Sequence, residues 1–289
     1  MAFKMDPEKF YVMPVVFGPM STPRAAITGE RCCYINPMGT LYNHYRVVFE
    51  TDPKQLEQIL PEGFTLIDPY VFFTFSSLRN CAFLAGRGYE LVSVEIPTIY
   101  QGKEDKVRGL FEPVLWEDHG DNCNIGREQS GFAKVFGDIK AAKEKDGKVR
   151  GSVSTWGFKF VDLFMDFDQP PEDFDEMKRI TQNYDLEGRL HYKYITRTGN
   201  PWIEADCEYI VLAPYQWEKP EGFDDSRLPT PSYRYCKGEL KWHWPEWRDT
   251  PTQSQIIQYM FNLQVKRYVG SCKITINSLQ DLRNSRILK

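Results

Sequence analysis

Glycine and proline punctuate this chain so often that few uninterrupted segments could hold a long helix. The 20 glycines and 19 prolines come in short clusters from PVVFGPMSTPRA onward, and both residue types break regular elements or mark turns. Strands are the default for the segments between them. LYNHYRVVFET and YVFFTFSSL are rich in aromatic and β-branched residues. In GYELVSVEIPTIYQG, Val92, Val94 and Ile96 fall on one period-2 face, and Leu91, Ser93 and Glu95 on the other. Two covering helices are expected. Over 52–64, DPKQLEQILPEGF, Asp52 can cap, Pro53 suits the first turn, and Leu56, Ile59 and Leu60 form a narrow apolar face. In TQSQIIQYMFNLQ, Thr252 or Ser254 caps an apolar set of Ile256, Ile257, Met260 and Phe261. Residues 166–178, DFDQPPEDFDEMK, read as a loop or a short acidic helix. Trp242, Trp244 and Trp247 read as packing in preference to a ligand platform.

Charge and cysteine usage narrow the function classes. Lysine and arginine number 36 against 40 aspartate and glutamate, a formal charge of −4. That balance disfavours nonspecific duplex binding, so no nucleic-acid partner is expected. The first residues carry Lys4, Asp6, Glu8 and Lys9 ahead of the apolar run. No window resembles a membrane span or a secretory core, so no membrane partner and a cytoplasmic location are expected. Cys32 and Cys33 are adjacent, and Cys81, Cys123, Cys207, Cys236 and Cys272 lie far apart. Without a CxxC they read as free thiols in a reducing compartment. There is no internal repeat and no obvious linker, so residues 1–289 are read as one domain.

The nucleotide-binding, metalloprotease and serine-hydrolase motifs are all missing. His44, His119, His191 and His243 are widely separated, and His119 beside Asp118 and Asp121 reads as a solvated acidic turn. No metal and no cofactor are expected. The informative stretch is NIGREQSGFAKVFGDI, residues 124–139. Lys134 stands there among Phe132, Ala133, Val135 and Phe136, between Gly131 and Gly137. Burying an ammonium in such surroundings disfavours its charged form and leaves an amine able to attack a ketone. On the residues alone, the more ordinary reading is a lysine that extends its charge past its neighbours to water.

The same stretch resembles the active-site signature of the acetoacetate decarboxylase superfamily, in which a Gly-Arg-Glu run precedes an imine-forming lysine by a few residues. Gly126, Arg127 and Glu128 match that run, and Lys134 falls at the nucleophile. RVVFETD, GYELVSVEIP, QNYDLEGRLHYK and LQVKRYVGSCK follow in the family's order, so the resemblance covers residues 13 to 275. It implies an α+β fold: a large curved antiparallel sheet closing toward a cone-like β-barrel, with peripheral helices and the lysine inside. It also implies a small-molecule carbonyl substrate and a homo-oligomer.

Glu90 resembles the family's acidic residue ahead of the Ile-Pro pair, here Ile96 and Pro97, and Glu95 matches nearly as well. The two differ by an odd number of positions and so face opposite sides of a strand. Glu90 is preferred, because regular alternation places it with Val92, Val94 and Ile96. It would shuttle a proton at the carbon beside the imine.

Two positions depart from true decarboxylases. Val135 replaces the second lysine, the neighbouring cation being the established means of lysine activation in acetoacetate decarboxylase. Tyr42 stands where an arginine is expected, so a substrate carboxylate would lose its bidentate partner. Tyr42, His44 and Arg46 form a polar strip, with Tyr42, Arg46, Glu95 and Arg127 as candidate substrate ligands. Arg127 reads equally as a structural ion pair with Glu128 or Asp138. These departures favour a Schiff-base lyase of the aldolase or dehydratase type. A β-keto acid decarboxylase and a non-catalytic binding protein on the same scaffold are the alternatives.

Overall fold

The computed structural model describes residues 3–23, 25–30, 40–200, 202–215, 229–278 and 285–289. Cys32 and Cys33 lie outside them, as does Arg24 of PVVFGPMSTPRA. Strands dominate the described chain, as its punctuation predicts. They are β1 (Thr40–Glu50), β2 (Phe64–Leu66), β3 (Tyr70–Cys81), β4 (Arg87–Gln101), β5 (Lys106–Glu117), β6 (Lys134–Phe136) and β7 (Asp138–Lys145). The second half adds β8 (Lys148–Thr155), β9 (Phe158–Asp166), β10 (Gly188–Thr196), β11 (Ala205–Pro214), β12 (Ser232–Trp242), β13 (Arg267–Ser278) and β14 (Arg286–Ile287).

The pairing corrects the expected architecture. The strands form an open path, β14-β11-β10-β5-β4-β3-β1-β13-β12-β9-β8-β7, with β2 on β4 and β6 on β5. The two ends do not pair with each other, so the sheet is not a closed cone-like barrel. Nor is it wholly antiparallel, because β10 and β6 both run parallel to β5. The physical reason lies in the connections: a helical crossover joins β5 to β6 and returns the chain in the same direction, as a parallel neighbour requires.

Among the described residues, four α-helices accompany the sheet: α1 (Pro53–Glu57), α2 (Gly120–Ile125), α3 (Phe174–Gln182) and α4 (Ser254–Asn262). None of the described helices is long and apolar enough to cross a membrane. Asp52 caps α1 by accepting from the Lys54 amide, and Leu56 is buried beneath it. α3 begins at the end of the acidic stretch 166–178, the earlier part of which is loop, and is capped by Asp173 through the Glu176 amide. The α4 cap differs from expectation. Gln253, not Thr252 or Ser254, holds the cap position, and its side chain is committed elsewhere. It accepts from Trp116 Nε1 and donates to the Phe136 carbonyl.

The largest apolar cluster joins Phe73, Phe75, Val92, Val94, Ile96 and Trp116 of β3, β4 and β5 to Phe160, Leu163 and Met165 of β9, with Ile257 and Met260 of α4 beside them. Each fully buried side chain of this size contributes about 1.5–3 kcal/mol. The tryptophan group divides: Trp242 packs on Phe73 and Phe160 in this core, while Trp244 and Trp247 are exposed. The opposite faces of β1, β3, β4 and β5 carry buried polar side chains, and these make the site.

Candidate active site

Lys134 is positioned by the crossover between β5 and β6. β5 ends at Glu117, α2 follows, and the chain then makes a π-helical turn over Gly126–Ser130. Gly131 reverses it with φ +73°, and β6 begins at Lys134 as a parallel neighbour of Leu115. Alternation along β6 sends Val135 into the large apolar cluster and Lys134 to the polar face. Gly126 makes room for this. A Cβ there would stand 2.6 to 2.8 Å from Cδ, Cε and Nζ of Lys134.

The lysine is 8% exposed, so it does not extend to water. Its Nζ lies 2.5 Å from Glu117 Oε2 and donates to the Asn122 carbonyl at 3.2 Å. The rings of Phe132 and Tyr89 stand 5.4 and 5.9 Å from the amine. Burial pushes the Glu117 carboxyl above the usual carboxylate range, and the Lys134 charge opposes that shift. A cleft of about 650 Å³ borders the crossover, with Asn124, Arg127, Lys134, Phe136 and Trp156 in its wall.

A buried ionic layer flanks this pair. Arg46 Nη2 lies 2.6 Å from Glu95 Oε2, and Arg189 Nε lies 3.1 Å from Glu95 Oε1 and 3.3 Å from Glu112 Oε1. Burial disfavours ionisation of Glu95, but Arg46 and Arg189 outweigh it and hold the carboxyl below its ordinary value. Burial pushes Glu112 up to about 8, with Arg189 opposing and Glu95 reinforcing the shift. His191, wholly buried, meets the edge of Phe132 at 4.2 Å between ring centroids. Burial, then the charges of Arg189 and Lys134, drives its imidazole well below the ordinary value, so it is neutral.

Removing one partner of a buried ion pair costs about 3–5 kcal/mol. Glu95→Ala is therefore expected to lower the unfolding free energy by about that amount in urea titrations, since Arg46 and Arg189 both lose their shared carboxylate. The sign with pH follows from the depressed carboxyl. Its contribution is complete above the unfolded-state value and is lost as pH falls through the folded value, so the acid limb of the stability curve should flatten in the variant. An unchanged urea midpoint would show that the arginines find other partners.

The residues singled out from sequence are divided by the fold. Tyr42, His44 and Arg46 share one face of β1, with Tyr42 stacked on His44 at 5.4 Å and His44 Nδ1 2.7 Å from Ser76 Oγ. Glu95 lies on this polar face, bound to Arg46. Glu90 lies on the other face of β4, with Val92 and Val94, and its carboxylate is taken by Ser77 and Arg79. The carboxylate that Lys134 Nζ meets is that of Glu117. The face Glu90 shares with the valines packs into the apolar core, and the lysine stands on the opposite side. Arg127 pairs with neither Glu128 nor Asp138 and donates instead to the Lys134 carbonyl at 2.8 Å, fixing the backbone of the lysine. His119, Asp118 and Asp121 form no metal-ligand group among the described residues.

Sequence patterning does not single out Glu117, Glu112, Asn122, Arg189 or His191. One signal was present for the glutamates: GLFEPVLWE places two carboxylates in an apolar and aromatic strand, where an unpaired charge is costly. Several polar atoms of this group lack hydrogen-bond partners, namely Glu112 Oε2, Glu117 Oε1, both amide atoms of Asn122 and both ring nitrogens of His191. His191 Nδ1 and Glu112 Oε2 are 3.3 Å apart without the alignment of a hydrogen bond. Each such buried group costs about 1–3 kcal/mol.

With that geometry in place, comparison with known proteins is informative. The model of the family acetoacetate decarboxylase (ADC) matches residues 34–217, more than half of the chain. The chain belongs to the acetoacetate decarboxylase family. It is 25% identical to the acetoacetate decarboxylase of Clostridium acetobutylicum over 158 residues, which is 51% of this chain and 62% of that protein. The matched part thus spans less than two thirds of that relative. Among solved structures, acetoacetate decarboxylase from Legionella pneumophila superposes with a TM-score of 0.59 at 16% identity, covering 92% of this chain and 94% of that one. The enduracididine biosynthesis enzyme MppR, complexed with the condensation product of pyruvate and imidazole 4-carboxaldehyde, gives 0.57 at 15% identity, covering 98% and 97%. These likenesses show a shared fold. Val135, next to Lys134, packs against the large apolar cluster.

Proposed function

We propose that this protein is a cofactor-independent Schiff-base lyase. Lys134 attacks the carbonyl of a keto acid or related compound, and the resulting iminium serves aldol, retro-aldol or dehydration chemistry. The observation that carries the reading is the buried contact of 2.5 Å between Lys134 Nζ and Glu117 Oε2. A carboxyl pushed upward by burial can take the lysine proton and return it across that contact. Family membership supports the same chemistry, and the MppR complex is compatible with its aldol form. The chain is read as one domain acting on a small molecule, with assembly into a homo-oligomer expected from the family resemblance.

The steps balance without an external reagent. Proton transfer from Lys134 to Glu117 leaves a free amine, which adds to the carbonyl carbon. The carbinolamine then loses its hydroxyl as water, using the proton held by Glu117, and an iminium remains. The Glu117 carboxylate now faces the carbon next to that iminium and can remove a proton to give the enamine. If the adjacent carbon bears a hydroxyl, the enamine expels it as water, with the proton returned by Glu117. In the retro-aldol direction, Glu117 takes the hydroxyl proton as the carbon–carbon bond breaks, an aldehyde leaves, and the enamine that remains takes that proton on carbon to become an iminium. Hydrolysis of the iminium regenerates the amine in both cases.

A second reading, decarboxylation of a β-keto acid, is favoured by the name of the family itself. Carbon dioxide release from a panel of keto acids would divide the two. The common step is tested by borohydride reduction in the presence of a ketone. A stable adduct on Lys134, identified by peptide mass and absent from Lys134→Ala, is expected. No adduct with any carbonyl compound would leave the scaffold as a binding protein.

A further inference from the structure

The cleft of about 650 Å³ beside the crossover is not the chamber of the amine. Its wall takes in Lys134, but none of the groups around Nζ, namely Glu117, Asn122, Phe132 and Tyr89, belongs to it. Val135, which packs against the apolar cluster, lines the cleft, as does Gln253 at the start of α4. The cleft therefore opens on the side of β6 away from the polar face. Its volume falls within the range, about 300–1,000 Å³, of pockets that take small molecules.

Two aromatic side chains in this wall lack the packing that large rings ordinarily have. Trp156 is 71% exposed and Phe136 48%, and neither meets another aromatic ring among the described residues. Gln253 holds their segments together, donating to the Phe136 carbonyl at 2.8 Å and to Thr155 Oγ1 at 3.3 Å. Trp156 also has a costly backbone. It is the first of the two residues that turn β8 into β9, with φ +52°, and Gly157 follows at +79°. Asparagine and glycine ordinarily make such a turn, and a bulky residue at positive φ is an outlier. An exposed ring gives the core nothing in return, and strain of this kind collects at ligand sites.

Arg127 supplies the charge. Its Nη1 donates to the Lys134 carbonyl, and the guanidinium has no carboxylate partner among the described residues. The remaining N–H groups of such a fork suit a carboxylate, and its plane suits an aromatic ring. Asp138, in the same wall and without an ion pair among the described residues, disfavours a second negative charge.

We propose that this cleft binds a flat aromatic monocarboxylate, with Trp156 and Phe136 on the ring and Arg127 on the carboxylate, as a site separate from the lysine amine. The site stands whether or not Lys134 forms a Schiff base.

Calorimetric titration of the full chain with naphthylacetate, naphthylacetamide and acetate tests it. The naphthyl acid is expected to bind, and the amide, which lacks the charge, about tenfold more weakly. Acetate, which lacks the ring, should also be weaker by about tenfold. Arg127→Gln should weaken the acid about tenfold and leave the amide unchanged. Trp156→Asn should weaken acid and amide alike, with a thermal transition at or above that of wild type, because asparagine suits the turn. Lys134→Ala should bind the acid as wild type does. Equal affinities for acid and amide, loss of binding in Lys134→Ala, or no binding of the acid would overturn the proposal. So would a Trp156→Asn chain that sediments differently from wild type, which would assign the rings to contact between copies. If Trp156→Asn is unstable, Arg127→Gln decides alone, and an unchanged affinity for the acid there overturns the proposal.

Discussion

Glu117→Gln is expected to slow imine formation on Lys134 by about 10²–10⁴-fold, the usual contribution of a positioned general acid or base. The amide keeps the size of the side chain and can still touch the amine, so the loss isolates proton transfer from packing. Rates of borohydride-trapped adduct in wild type and variant measure it, with the thermal transition as a check that the variant is folded. The pH profile gives an independent reading. As a base, Glu117 gains activity as pH rises through its own titration, which burial places above the usual carboxylate range. The acidic limb of the wild-type profile should lie correspondingly high and be missing from the Gln variant. Trapping at the wild-type rate would reduce Glu117 to a counter-ion.

Gly126→Ala should separate stability from activity in the opposite way to a core mutation. Gly126 has helical angles, φ −64° and ψ −40°, so alanine fits the backbone and its better helix propensity can add up to about 1 kcal/mol. The added methyl group, however, occupies the space of Lys134 Cδ, Cε and Nζ at 2.6 to 2.8 Å. These are the far atoms of a flexible side chain, so the fold yields by moving the amine. A displacement near 1 Å at a reacting group costs about 10²-fold in rate. The expected result is an urea midpoint equal to or above that of wild type, together with adduct formation reduced about a hundredfold. A variant that labels normally would show that the amine reaches its substrate from a different rotamer.

Parts of this arrangement could be read from sequence for clear physical reasons, and parts could not. Strand alternation through Val92, Val94 and Ile96 finds the apolar face of β4 because that face packs into one continuous core. The same alternation favours Glu90. It treats interior as synonymous with apolar, whereas here the buried polar face is the one that carries Glu95 and Tyr89. A bulge between Val94 and Ile96 further shifts the register with β5, setting Glu112 beside Glu95. No single-strand pattern reveals a neighbour supplied by another strand.

Glu117 is hidden for another reason. It precedes Asp118 and His119, and three polar residues in succession resemble a solvated turn, yet Glu117 is fully buried. Arg189 and His191 alternate with Leu190 and Tyr192 on β10, an ordinary strand pattern whose polar side faces the site only because β10 joins β5 in parallel. The open path of the sheet is likewise a property of pairings between distant segments.

The contrast between the two parts of the site has a consequence for how it forms and how it can change. Lys134 and Glu117 come from the two ends of one short crossover, so bringing them together closes only a small loop and costs little chain entropy. The Arg46, Glu95, Glu112 and Arg189 layer draws on four strands and exists only when the sheet is assembled. The Lys134–Glu117 pair is thus a local module, and the surrounding ionic layer a global one. Under the proposed function, substitutions on β1 and β10 would redirect what binds while Lys134 and Glu117 travel together as one inherited piece.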